Sequence, residues 1–171
     1  MKKSIFSVVI IFIFFNCTAF GQRGKNKADK DTYEWRYEIE VNGVGTQGNY
    51  QLKVWSYSKN PETAIEQAKK NAVHGVIFKG FPAKERLRGQ KALAQSPTLE
   101  EEKEDYFKEF FSDGGRFQKF VTLTLNGAID PSDRVKIGKE YKIGVIVSVD
   151  VAGLRNDLEG AGIIKPLGSG F

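Results

Sequence analysis

Between Tyr33 and Val41 the chain alternates, with Tyr33, Trp35, Tyr37, Ile39 and Val41 on one side and Glu34, Arg36, Glu38 and Glu40 on the other. A period of two with one wet face predicts a half-buried strand. Asn49 to Ser58 predicts a second strand, with Tyr50, Leu52 and Val54 on one face and Lys53, Trp55 and Tyr57 on the other. The glycine-rich stretch between the two predicts an antiparallel hairpin. Asn60-Pro61-Glu62 then reads as a helix start: Asn caps, Pro takes the first helical position, and the acid sits near the positive end of the dipole. Ile65, Ala68, Ala72 and Val76 continue as one stripe, its alanines small enough to let the helix approach a sheet closely. His74 falls nearly opposite that stripe.

Phe81 to Pro97 is a basic connection without a clear period and predicts a long loop. Thr98-Leu99-Glu100-Glu101 has the form of a capping box, opening a helix that carries Leu99, Tyr106, Phe107, Phe110 and Phe111 and ends at Gly114-Gly115. The acid run Glu100 to Asp105 reads as its solvated N-terminal face. Phe117 to Leu125 predicts a third strand, Asn126-Gly127 a turn, and Val135 to Ile137 a short strand. In Ile143 to Val151 the residues Ile143, Val145, Val147, Val149 and Val151 share a face, which predicts an inner strand. Leu154 to Leu158 predicts a last helical turn or two, broken by Gly160-Ala161-Gly162, with the apolar tail Ile163 to Leu167 docking on the body. The order ββααββα implies an α+β fold: an antiparallel sheet of four to five strands with helices mainly on one face.

The N-terminus reads as an address. Met1-Lys2-Lys3 is a short basic start, and Ile5 to Phe15 is an uncharged run broken only by Ser7. An apolar run of about 7–15 residues behind a basic start has the form of a secretory signal. It is too short for a membrane span, which needs roughly 20 residues. Ala19 and Gly21 occupy the small positions of a cleavage site. The expected organisation is therefore a signal peptide at 1–21, a flexible arm at 22–32 and a single α+β domain at 33–171. A mature chain beginning at Gln22 resembles many secreted proteins of Bacteroidota. Cys17 offers a rival, lipid attachment, but Phe14-Phe15-Asn16 before it matches a lipoprotein box poorly. The expected location is exported, periplasmic or outer-membrane-associated, with membrane association only if Cys17 carries a lipid.

Composition narrows the chemistry. The chain has 26 basic and 21 acidic residues, for a formal charge of +5. Removing residues 1–21 takes away Lys2 and Lys3 and no acid, leaving 24 basic against 21 acidic residues and a charge of +3. That is no nucleic-acid footprint. With one Cys and one His, no intramolecular disulfide, multi-cysteine zinc site or two-histidine mechanism is available.

The order of elements resembles the N-terminal domain of flagellar assembly protein T and the small outer-membrane lipoproteins related to it. The likeness rests on the Gly43-Val44-Gly45 turn, the Ala64/Ala68/Ala72 ladder and the segment YKIGVIVSVDVAGLRNDL at Tyr141 to Leu158. It covers most of residues 33–158. The long connection and aromatic second helix depart from that compact pattern. The resemblance implies an envelope protein of structural or accessory type, and it carries over no binding residue.

Gly43-Val44-Gly45-Thr46-Gln47-Gly48 spells G-x-G-x-x-G, but a strand follows it where a dinucleotide site requires a helix. A hairpin explains the glycines, and no dinucleotide is expected. His74 has Lys70 and Phe78 as its helical neighbours, neither of which activates an imidazole. It is expected to be a structural or surface residue. No nucleophile-elbow, zincin or calcium-loop pattern occurs, and no acid pair is singled out for glycosidase chemistry. The expectation is a non-enzymatic exported binding or accessory module without a cofactor or metal. The alternative is a small hydrolase or glycan-active enzyme with an unrecognised carboxylate site. Lys53, Trp55 and Tyr57 form the candidate surface for an envelope protein or glycan. Two outcomes stay open for them: exposure, or cover from the Phe81–Pro97 connection or the second helix.

Export has a direct check. Intact-mass measurement of the protein recovered from its cells should give a chain that starts at Gln22, whereas a mass retaining Met1 to Gly21 would rule out cleavage at this site.

Overall fold

The computed structural model of the chain describes residues 35–45 and 48–166. The signal segment with Cys17, the arm at 22–32, Tyr33, Thr46-Gln47 and Leu167 lie outside the described residues. Strands β1 (Tyr37–Val44) and β2 (Asn49–Ser58) form the expected antiparallel hairpin, with an irregular register between Val41 and Gly43. Gly43 and Val44 of the G-x-G-x-x-G run end β1, and its last glycine, Gly48, immediately precedes β2. Helix α1 (Pro61–His74) opens as its sequence predicts: Asn60 Oδ1 accepts from the Glu62 amide at 2.9 Å, with Pro61 in the first turn. It runs into a π-helical turn, Gly75–Lys79.

Two short helices follow, α2 (Leu99–Glu102) and α3 (Glu104–Phe110). Three strands come next: β3 (Val121–Leu123), β4 (Arg134–Ile137) and β5 (Glu140–Asp150). Helix α4 (Val151–Gly160) closes the described chain, its first turn capped by Asp150 accepting from the Gly153 amide. β5 pairs with β2 from Asn49↔Asp150 to Ser58↔Tyr141. β3 and β4 share its far edge, giving the order β1-β2-β5-β3 with β4 beside β5. All five strands are antiparallel. The α+β class stands, with the helices on one face of the sheet.

The inner face follows the alternation. Val41, Leu52, Val54, Ile143, Val145, Val147 and Val149 are all fully buried. Ala64, Ala68 and Ala72 are likewise buried, as close packing of a helix on a sheet requires. The side of α1 away from the sheet is buried too. An aromatic layer covers it, built from Phe78, Tyr106, Phe107, Phe110, Phe111, Phe117 and Phe120, whose rings meet at centroid distances of 4.9–6.4 Å. Leu154 and Leu158 of α4 and Ile164 of the tail complete the core.

Four expectations need correction. The strand expected over Phe117 to Leu125 survives only at Val121–Leu123, because Arg116–Phe120 coils as a 3-10 helix that turns Phe117 into the aromatic layer. Leu125, with φ 51°, points to solvent. The capping box is absent: Thr98 makes no side-chain cap and bonds instead to Glu102, and the helix breaks at Lys103, where φ is −121°. The helical run also ends at Phe110, ahead of the Gly114-Gly115 pair. Trp35 is not a strand residue; it precedes β1 with φ 43°, a conformation rare for a bulky side chain.

Val147 sits between Leu52 and Leu123 on the inner face. Val147→Asp places an unpaired carboxylate there and should cost several kcal/mol, a large part of a domain stability of about 5–15 kcal/mol. A chemical-denaturation curve checks it; a variant as stable as the parent would overturn the face assignment.

Candidate functional site

The outer face of the sheet is set by the same register that builds the core. Residues directly opposite in an antiparallel pair share a face. One row across the strands therefore reads Val135, Lys142, Tyr57, and the next reads Gly144, Trp55, Glu38. A third reads Ile146, Lys53, Glu40. Lys53, Trp55 and Tyr57 thus lie where the alternation places them, on the side away from the helices, and each is half-buried. Val135 and Ile137 of β4 extend this face and are exposed at 47% and 44%.

Trp55 lies across its β5 neighbour Gly144. A Cβ built on Gly144 would meet Trp55 Cζ3 at 3.1 Å and Asp133 Cβ at 3.2 Å. The glycine is what lets the indole lie low over the sheet, with the 3-10 turn Pro131–Asp133 alongside. Trp55 Nε1 donates to Glu40 at 3.1 Å, and the Tyr57 hydroxyl donates to Glu38 at 3.1 Å. Cations flank both rings: Lys142 and Lys53 at 5.1 and 5.4 Å from the Trp55 ring, and the Arg36 guanidinium at 4.1 Å from Tyr57.

Each of these charges has an opposite partner. Lys53 pairs with Asp133 at 2.8 Å, Lys142 with Glu38 at 2.6 Å, Lys84 with Glu40 at 2.9 Å, and Arg36 with Glu140 at 3.3 Å. Apart from the part-buried Lys53–Asp133 pair, these are exposed pairs that contribute only about 0–1 kcal/mol each, and their main effect is to hold the rings in place. The hydrogen bond from Lys142 holds the Glu38 carboxyl below its usual range, and that from Lys84 does the same for Glu40. The long connection reaches this face only at its margin, through Lys84, while α2 lies on the other side against His74.

A second constellation, buried on the helical side, was not predicted. His74 is 2% exposed and bridges two distant groups. Nδ1 lies 2.6 Å from the Tyr37 hydroxyl, and Nε2 lies 3.1 Å from Glu100. An ionised carboxylate can only accept, so Nε2 carries the proton and Nδ1 accepts from Tyr37. Trp35 stacks on the imidazole with centroids 3.6 Å apart. Phe78 and Phe111 complete the enclosure at 4.7 and 5.9 Å. Gly75 allows the approach of β1, since a Cβ there would meet Ile39 Cδ1 at 2.9 Å and Tyr37 Cε2 at 3.3 Å.

Burial pushes the His74 pKa below its ordinary value, outweighing the opposite pull of Glu100. Burial and the Glu100 charge raise that of Tyr37, so the hydroxyl keeps its proton. Burial works to raise the Glu100 carboxyl, but its contacts with His74, Trp35 and Lys79 leave it below its usual value. Glu100, half-buried, therefore joins the His74 network, while Glu101 to Asp105 are exposed as expected. His74 carries carboxylate and hydroxyl partners that lie 26 and 37 residues away, and no helical neighbour could have revealed them. The outer-face additions had a signal: Gly144 inside a strand pattern marks a close approach of another group. Among the described residues no His, Cys, Asp and Glu gather in a metal-holding cluster, and no helix is long and apolar enough to cross a membrane.

No family model, curated protein or solved structure matches this chain.

The His74 network makes stability depend on pH. A histidine whose folded pKa is depressed binds a proton more readily when unfolded, so stability is full above the ordinary value of 6.5 and falls as pH drops below it. One proton gives a slope of at most about 1.4 kcal/mol per pH unit. Glu100 adds a further loss below 4.5. Thermal melts across this range should show Tm falling from pH 6.5 downward, and His74→Phe should remove the part of the fall above 4.5.

Proposed function

We propose that this chain is an exported, non-enzymatic binding or accessory module of the cell envelope, and that its partner surface is the outer sheet face centred on Lys53, Trp55 and Tyr57. One observation carries the reading. On the side of the sheet away from the helices, two aromatic rings are held in fixed orientation, and the exposed Val135 and Ile137 lie on the same face. An aromatic surface that is already oriented loses little side-chain freedom when a partner covers it. Such residues dominate the energetics of contact surfaces.

The carboxylates on this face do not favour the hydrolase alternative. Glu38 and Glu40 are each held ionised by a lysine, whereas glycoside hydrolysis needs one carboxylic acid that keeps its proton. The basic start and apolar run at Lys2 to Phe15 support export. The likeness to flagellar-assembly and outer-membrane lipoprotein domains supports an accessory role.

The test is the double substitution Trp55→Ala and Tyr57→Ala, measured for stability and for recovery of partner from envelope fractions. Both rings are half-buried, so the stability loss should fall well short of the roughly 3–5 kcal/mol of a buried aromatic, while recovery of an envelope protein or glycan is lost. Unchanged recovery from a folded double variant would overturn this surface as the partner site.

A further inference from the structure

Trp35 and Arg36 are adjacent, yet they attach to opposite faces of the sheet. Trp35 turns inward, stacked on His74 at 3.6 Å. Arg36 turns outward, over the Tyr57 ring at 4.1 Å and against Glu140 at 3.3 Å. Neither residue belongs to a strand, and Trp35 is held at φ 43°, which a bulky side chain adopts only when its surroundings impose it. The constraint comes from the His74 contact and the Lys79 ammonium, 3.5 Å from the Trp35 carbonyl oxygen. Trp35 is also only partly buried.

The groups that face His74 are few. β1 supplies the Tyr37 hydroxyl, α2 the Glu100 carboxylate, and the π turn Lys79, whose charge opposes a second cation nearby. Trp35, Phe78 and Phe111 are uncharged, and Lys70, one turn earlier on α1, is directed at the Phe117 ring. A proton on Nδ1 would leave that atom unable to accept from Tyr37, and it would bury a charge away from water. Of the covering groups, Trp35 and Phe111 lie outside both sheet and helix, and Trp35 is the less buried of the two. Its departure admits water to the imidazolium while Glu100 stays in place.

We propose that Trp35-Arg36 is an acid-released clip: protonation of His74 frees Trp35 from the inner face and draws Arg36 off Tyr57, uncovering part of the partner surface. The consequence for binding rests on the function proposed above; the clip itself does not.

The full chain with Trp55→Phe keeps Trp35 as its single tryptophan, since the sequence has two. Acrylamide quenching of Trp35 should rise several-fold in a single-proton transition as pH falls from about 8 to about 5, with the far-UV circular dichroism unchanged. His74→Gln should abolish the transition. Glu100→Gln, which removes only the charge favouring the imidazolium, should move it to lower pH. Arg36→Ala, which removes the outer attachment, should move it to higher pH. Flat quenching, or a rise that comes only with loss of the far-UV signal, overturns the clip, and an Arg36→Ala midpoint equal to the parent's overturns its link to the outer face. In the chain with Trp55 intact, recovery of partner should increase on acidification in step with the Trp35 transition. A transition in Trp35 with pH-independent recovery overturns control of binding. Recovery that also survives the Trp55→Ala, Tyr57→Ala double substitution shows instead that the surface assignment failed while the clip stands.

Discussion

Helix α1 is enclosed on both sides, by the sheet and by the aromatic layer, and this enclosure governs the arrangement of the rest. The alanine ladder brings the helix down onto β2 and β5. The phenylalanines of α3 and of the 3-10 helix that follows then cover its back. Polar side chains on the two enclosed sides of the helix cannot turn to water. Asn71 donates to Ser56 at 2.9 Å, and His74 bonds to Tyr37 and Glu100. An unpartnered buried polar group costs roughly 1–3 kcal/mol, about as much as one hydrogen bond contributes or more. The positions of α2 and of the first residues of β1 are therefore tied to a single imidazole.

The two faces of the sheet use opposite kinds of order. The inner face is held mainly by burial of branched aliphatic residues, with directional contacts confined to Ser56 and Tyr37. The outer face has little apolar cover, and its order comes from directional bonds and charge pairs that pin Trp55 and Tyr57. Those pairs add little net stability. A set of contacts that orients aromatic rings without burying them is what a recognition surface requires, and Gly144 is the backbone feature that makes room for it.

Residues 35 and 36 join the two systems. The buried imidazole and the outer tyrosine share no contact, yet both are held through adjacent residues of one short, strained segment. A change of charge at His74 and a change of cover at Tyr57 are thus linked through the backbone at the edge of β1.

Much of this architecture is local and was readable in the residues. Strand alternation placed Leu52 and Val54 inward and Lys53, Trp55 and Tyr57 outward, because side-chain period alone decides the face. Asn60-Pro61 set the start of α1 because a cap needs only neighbouring residues. Where a local pattern competed with packing, packing prevailed. Thr98 had the spacing of a capping box, and Phe117 the alternation of a strand, yet the aromatic layer took Phe117 and the helix broke at Lys103. The candidate surface was legible in three of its residues, but the turn carrying Asp133, the exposed pair on β4 and the paired cations came from strands and loops remote in sequence. The His74 network was not legible at all. Its members lie at 35, 37, 74 and 100, no periodicity spans such separations, and only the folding of β1 and α2 around α1 brings a carboxylate, an imidazole, a hydroxyl and an indole together.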